Sequence, residues 1–236
     1  MTGALAERLA GLATAVATAI VIVAIAILPF LTPAWVAFEQ GRTGAAELTG
    51  YTTSELRGAT DAILADLLFG PPDFDAEVRG EAVLAERERS HMRDVRGVFA
   101  GFGVLALASA AVVGVAYVAA RSGGHPERAW RAIRAGAIGL AVGVIVAGIV
   151  AFFAFDAAFE VFHRLFFAGG SYTFDPGTDR LVQLFPFAFW FETTLAVGAV
   201  IIALSLAVAA VAARRVRRHD RAATATTGLA QPEAAR

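Results

Sequence analysis

The sequence predicts an all-α, polytopic membrane protein: four transmembrane helices and a small helical cap on the extracytoplasmic side. Three observations carry this reading. The 236-residue chain is 57% hydrophobic with a mean hydropathy of +0.63, above the usual apolar share of a soluble domain. Four apolar stretches, at roughly 9–31, 98–120, 135–155 and 187–213, can each cross a hydrocarbon core about 30 Å thick, which takes about 20 helical residues. Arginines gather at the ends of these stretches in a pattern that assigns one orientation.

The first three stretches contain no charged residue, and the fourth contains only Glu192 near one end. The first is too long for the apolar region of a cleaved signal peptide, and no clean small-x-small cleavage site precedes Pro33 and Trp35, so it reads as a retained anchor. The connection between the second and third carries Arg121, Arg128, Arg131 and Arg134 against Glu127 alone, and Arg214, Arg215, Arg217, Arg218 and Arg221 follow the fourth. Short basic flanks stay cytoplasmic, which places both termini inside and 33–96 and 156–186 outside. The expected organisation is residues 1–31 as N-terminus and first span, 32–97 as extracytoplasmic cap, and 98–155 as second and third spans joined by the basic loop. A Phe-rich outer loop follows at 156–186, then the fourth span at 187–213 and a basic, disordered tail at 214–236.

Missing residue types narrow the chemistry. The chain has no cysteine, lysine or asparagine. Thiol nucleophiles, disulfides, iron–sulfur clusters, Schiff-base lysines and the Walker phosphate loop are therefore excluded. No cofactor, resident metal or nucleic-acid partner is expected.

In the cap, Thr52 and Glu55 have capping-box spacing, and Leu56, Ile63, Leu64, Leu67 and Leu68 follow at helical intervals until Gly70-Pro71-Pro72. A second cap helix is expected to start near Leu84 and run through His91 into the second span, with His91, Val95, Val98 and Phe102 on one stripe facing inward. Glycines 97 and 101, and 139 and 143, repeat at i, i+4 and suggest close helix packing. In the second outer segment, Asp156, Glu160 and His163 fall on one face of what reads as an extension of the third span. Gly169-Gly170 and Asp175-Pro176-Gly177 supply turns, and Ser171 reads as a turn residue because it lacks the strand–turn–helix setting of a serine nucleophile.

Two histidines stand at the outer membrane surface, His91 just before the second span and His163 just after the third. His125 and His219 lie among cytoplasmic arginines and read as solvated. Each outer histidine has a carboxylate about one helical turn away, Asp94 for His91 and Glu160 for His163. A carboxylate that accepts one ring N–H would fix the tautomer and leave the other nitrogen a better base. His91 and His163 are thus the candidate catalytic pair, with Asp94, Glu160, Asp156 and Arg164 in support and Arg93 or Arg96 as further oxyanion candidates. The same pairs fit zinc ligation loosely, so a zinc-dependent membrane hydrolase and a non-catalytic envelope protein are the competing readings.

The run Ala154-Phe155-Asp156-Ala157-Ala158-Phe159-Glu160-Val161-Phe162-His163-Arg164-Leu165-Phe166-Phe167, followed by Phe174-Asp175-Pro176 and Leu184-Phe185-Pro186, resembles the lipoprotein intramolecular transacylase (Lit) family and its four-span bacterial relatives. Glu88-Arg89-Ser90-His91-Met92-Arg93-Asp94-Val95-Arg96 resembles that family's other signature. The resemblance implies an enzyme of the bacterial cell membrane. Its substrate would be a diacylglyceryl-modified lipoprotein, or a related lipid, set among membrane lipids. The sn-2 acyl chain would move to the α-amino group of the same molecule's N-terminal cysteine, with His91 and His163 as the functional histidines. The chain departs from the family pattern at Ala168–Tyr172 and at Phe187.

Overall fold

The computed structural model describes residues 2–167 and 171–229. Among them are nine α-helices: α1 (Thr2–Ile27), α2 (Pro33–Thr43), α3 (Ala45–Thr49), α4 (Thr53–Leu68), α5 (Glu86–Ser122), α6 (Pro126–Phe153), α7 (Phe155–Phe166), α8 (Arg180–Leu184) and α9 (Phe187–Leu229). Four helical stretches, within α1 and its 3₁₀ continuation, α5, α6 and α9, are long and apolar enough to cross a membrane. Their windows are only 6–28% buried within the protein, as expected of helices whose outer faces meet lipid tails.

The chain divides into two compact parts. One holds the residues up to Ile25, Val104–Ile145 and those from Val200 onward. Here α1 and α6 approach closely at Gly136, where a Cβ would fall on the Ala15 backbone, 2.8 Å from its carbonyl carbon. The glycines at 97, 101, 139 and 143 have no such neighbour. The close-packing expectation for them is therefore incorrect: spacing identified glycine pairs, whereas one glycine outside those pairs makes the contact. Buried Thr14 and Thr18 return their hydroxyls to the carbonyls of Ala10 and Thr14 at 2.8 Å, which leaves neither of these two hydroxyl protons unpaired. Arg128 pairs with Glu7 and Arg131 with Asp220, while Trp130 meets Tyr117 and the Arg215 guanidinium.

The other part holds Ala26–Gly103 and Val146–Ala199. The capping box forms as expected: Thr52 Oγ1 accepts from Glu55 N, and Glu55 accepts from Thr52 N. Arg79 then adds two hydrogen bonds to Glu55, and this guanidinium, ahead of the Thr52 contacts, pushes the carboxyl down to about 2. Arg96 closes the other end of α4 by donating to the carbonyls of Asp66 and Gly70. Leu56, Ala59 and Ile63 of α4 meet Phe74, Val83, Leu84, Met92, Leu181 and Leu184 in one apolar core.

A short hairpin, β1 (Glu77–Val78) with β2 (Glu81–Ala82), adds to the all-α expectation. Arg79 and Gly80 turn it with φ of 57° and 80°, so the tight turn depends on left-handed backbone that glycine adopts easily. Two further expectations change. Helix α6 ends at Phe153, and Ala154 leaves helical geometry (φ −141°, ψ 47°), so α7 is a separate helix rather than an extension of the third span. Helix α9 continues to Leu229, through much of the tail expected to be disordered; alanine and arginine are strong helix formers and let the last span propagate. The rest of that expected tail, 230–236, and the expected Gly169-Gly170 turn lie outside the described residues.

Candidate functional site

His91 and His163 come together within the second part. His91 sits in the second turn of α5 and His163 near the end of α7, 6% and 9% exposed. Their ring centroids are 6.1 Å apart with an interplanar angle of 22°. Phe167 touches both rings, at 4.8 Å and 5.4 Å between centroids. Phe174 covers His91, while Phe159, Phe162 and Tyr172 surround His163. The sequence placed both histidines beside spans, and folding brings their rings into one aromatic enclosure.

The tautomer of His163 follows from its contacts. Its Nδ1 lies 2.8 Å from the Phe159 carbonyl oxygen, which can only accept, so Nδ1 carries the hydrogen. In the neutral ring Nε2 then holds the lone pair. His91 Nδ1 is buried with no hydrogen-bond partner among the described residues.

The supporting residues behave differently from the expectation. Glu160 does not hold the His163 ring. It accepts from Arg164 Nε at 2.7 Å and from the Tyr172 hydroxyl at 3.2 Å. Arg164 first, and Tyr172 after it, hold the Glu160 carboxyl below the usual carboxylate range. A backbone carbonyl four residues back does the orienting instead, because a histidine Nδ1 on a helix reaches that oxygen without using a second side chain. Asp94 is exposed and makes no hydrogen bond to His91, and Asp156 is exposed in the first turn of α7. The three arginine candidates are engaged elsewhere: Arg93 with Glu86, Arg96 with the end of α4, and Arg164 with Glu160. Ser171 lies in a turn, and His125 pairs with Glu127. Among the described residues, no three His, Cys, Asp or Glu side chains gather as a metal-ligand group.

The sequence model described as lipoprotein intramolecular transacylase Lit matches residues 11–190, which include both histidines and the whole aromatic enclosure. The chain belongs to the Lit family. Three matched structures of membrane-integral Lit from Bacillus cereus agree with this fold. One has a TM-score of 0.75 at 18% identity, covering 92% of this chain and 99% of the other. Two more, each carrying a substitution of a single histidine, have TM-scores of 0.76 at 18% identity and cover 93–94% of this chain and 96–97% of theirs. A comparison with curated protein sequences gave no match. This Lit-family chain is accordingly an all-α membrane protein.

Residue spacing did not reveal several contributors to the Lit-like site. The Phe159 carbonyl is invisible to any side-chain motif. Tyr172 and Phe174 reach the rings from a turn with no regular spacing. Glu88, 2% exposed and three residues before His91, stands among exposed or half-exposed charged neighbours, so spacing alone did not mark it as buried.

Proposed function

We propose that this protein is a membrane acyltransferase that converts a diacylglyceryl lipoprotein to its N-acylated lyso form. The substrate would be a bacterial lipoprotein in the cell membrane, met at the outer face by a chain with both termini in the cytoplasm. The amine nitrogen of the N-terminal cysteine attacks the carbonyl carbon of the sn-2 ester. As the new C–N bond forms, the nitrogen loses a proton; as the ester C–O bond breaks, the glyceryl oxygen gains one. Donor and acceptor belong to one molecule, so proximity comes with the substrate.

The observation that carries this reading is the enclosed histidine pair, with His163 Nδ1 committed to Phe159 and Nε2 left as a base. In the proposed mechanism His163 takes the amine proton and returns it to the leaving oxygen. His91, stacked beside it, receives or orients that proton. Acid–base catalysis of this kind typically contributes about 10²–10⁴-fold. Burial among aromatic rings limits water, which would otherwise compete with the amine for the ester.

The test is purified protein in detergent or nanodiscs with a synthetic diacylglyceryl lipopeptide, followed by mass spectrometry of the peptide. Expected is a product of unchanged mass whose acyl chain has moved from glycerol to nitrogen, with no such product from His163→Ala. A chelator should leave the rate unchanged. Loss of acyl chain to water, or activity that follows stoichiometric zinc, would refute the proposal.

A further inference from the structure

Glu88 is a buried carboxylate that the proton transfers do not use. A carboxylate withdrawn from water is costly unless its oxygens are hydrogen-bonded, so its position needs an account. Its two oxygens face different parts of the chain. Oε2 accepts from Ala85 N at 2.7 Å, bridging back over the first turn of α5. Oε1 accepts from Leu181 N at 2.6 Å, in the first turn of α8. One side chain therefore satisfies N–H donors that lack intrahelical partners at two helix starts, and the dipole of α5 also favours its negative charge.

The residue beside it makes the same connection on the surface. Arg87 donates to the Thr173 carbonyl at 2.9 Å and to Asp179 Oδ2 at 2.6 Å, and its guanidinium lies 4.8 Å from the Phe174 ring. The Asp179 carboxylate also accepts from Asp175 N at 2.7 Å. The segment between Thr173 and Leu181 is thus fixed to the first turn of α5 at both ends. That segment carries Phe174, whose centroid is 5.4 Å from His91, one turn further along the same helix.

We propose that Glu88, assisted by Arg87, is a positioning residue for His91. It clamps the Thr173–Leu181 segment so that Phe174 holds the imidazole in register with His163. This rests on the acyl-transfer reading above, since register matters only if the pair acts on substrate. A carboxylate is required because it offers acceptors to two amides at once. A carboxamide of the same shape has one acceptor oxygen and would turn its NH₂ toward a second N–H donor, releasing one end of the clamp.

The experiment combines kinetics with nuclear magnetic resonance on Glu88→Gln in the full chain. The four histidines give few enough ring signals to resolve, and His125 and His219 serve as internal references. Expected is a kcat lower by on the order of 10–100-fold per folded molecule, with KM within about twofold, because displacement near 1 Å is costly to alignment. The His91 ring signals should shift and the reference signals should not. Arg87→Gln, at a half-exposed side chain, should give a smaller kcat loss and move the same His91 signals. Unshifted His91 signals in both variants, or a wild-type kcat in folded Glu88→Gln, would overturn the proposal. A kcat loss explained wholly by a smaller folded fraction would overturn it too. Absence of product from wild-type protein would instead refute the acyl-transfer reading, while the resonance arm still tests the clamp.

Discussion

Replacing His91, His163 and then both with alanine should reveal whether the rings act as a unit. Each single replacement removes acid–base help worth about 10²–10⁴-fold, or roughly 2.7–5.5 kcal/mol of barrier. Independent groups would multiply, so the double variant would lose about 10⁴–10⁸-fold. The structure argues against independence. With ring centroids 6.1 Å apart, two imidazolium charges would repel by roughly 3 kcal/mol at an effective dielectric of about 20, so charging one ring opposes charging the other. The double variant should therefore be within about tenfold of the worse single variant, as for other coupled catalytic groups. The assay is single-turnover conversion of diacylglyceryl lipopeptide, read by mass spectrometry, with folded protein quantified by size-exclusion chromatography. Multiplicative losses would refute the coupling. A folded His163→Ala protein that transfers acyl chains at the wild-type rate would dismiss the pair altogether.

Three further outcomes are expected. Glu39 is 1% exposed, and its carboxyl is held above the ordinary carboxylate range by burial first and by the adjoining Glu192 carboxyl next, against the pull of Arg42. The neutral acid is the form the fold favours, so its stabilisation is complete below the ordinary range and is lost as pH rises through the raised value; Glu39→Gln should flatten that part of a Tm-against-pH curve, and an unchanged curve would contradict it. Gly136→Ala should force α1 from α6 and destabilise by about 1–3 kcal/mol, measured by thermal unfolding in detergent, whereas Gly139→Ala, which meets open space, should be close to neutral. A tag inserted at Asp73 should be reachable from outside intact cells and a reporter after Arg221 should be cytoplasmic; protection of the outer tag would reverse the orientation proposed from the arginines.

The parts of this fold most legible in the sequence were those governed by local rules. Apolar length marked the four long helices, and Thr52 with Glu55 marked the start of α4 because a capping box is contained within four residues. The two histidines were legible because each stands at the end of an apolar run with a carboxylate three residues away. Their partners were less so. Asp94 and Glu160 have suitable spacing, yet helix spacing does not say which acceptor lies nearest; for His163 it is a main-chain oxygen, and Glu160 has its own cation. Glycine repeats failed for a similar reason, since Gly136 is special only through the approach of α1 from elsewhere in the chain. The break at Ala154 and the clamp at Glu88 likewise depend on contacts between segments far apart in sequence.

The contact between His163 Nδ1 and the Phe159 carbonyl makes the hydrogen placement on that ring a property of α7's own winding. An acidic partner could be lost by one substitution, or silenced by acid, and the imidazole would then be free to present either nitrogen. A carbonyl one turn back cannot be mutated away and does not titrate. Only a loss of helical shape between Phe159 and His163 would release the ring, so secondary structure itself decides which nitrogen this imidazole presents.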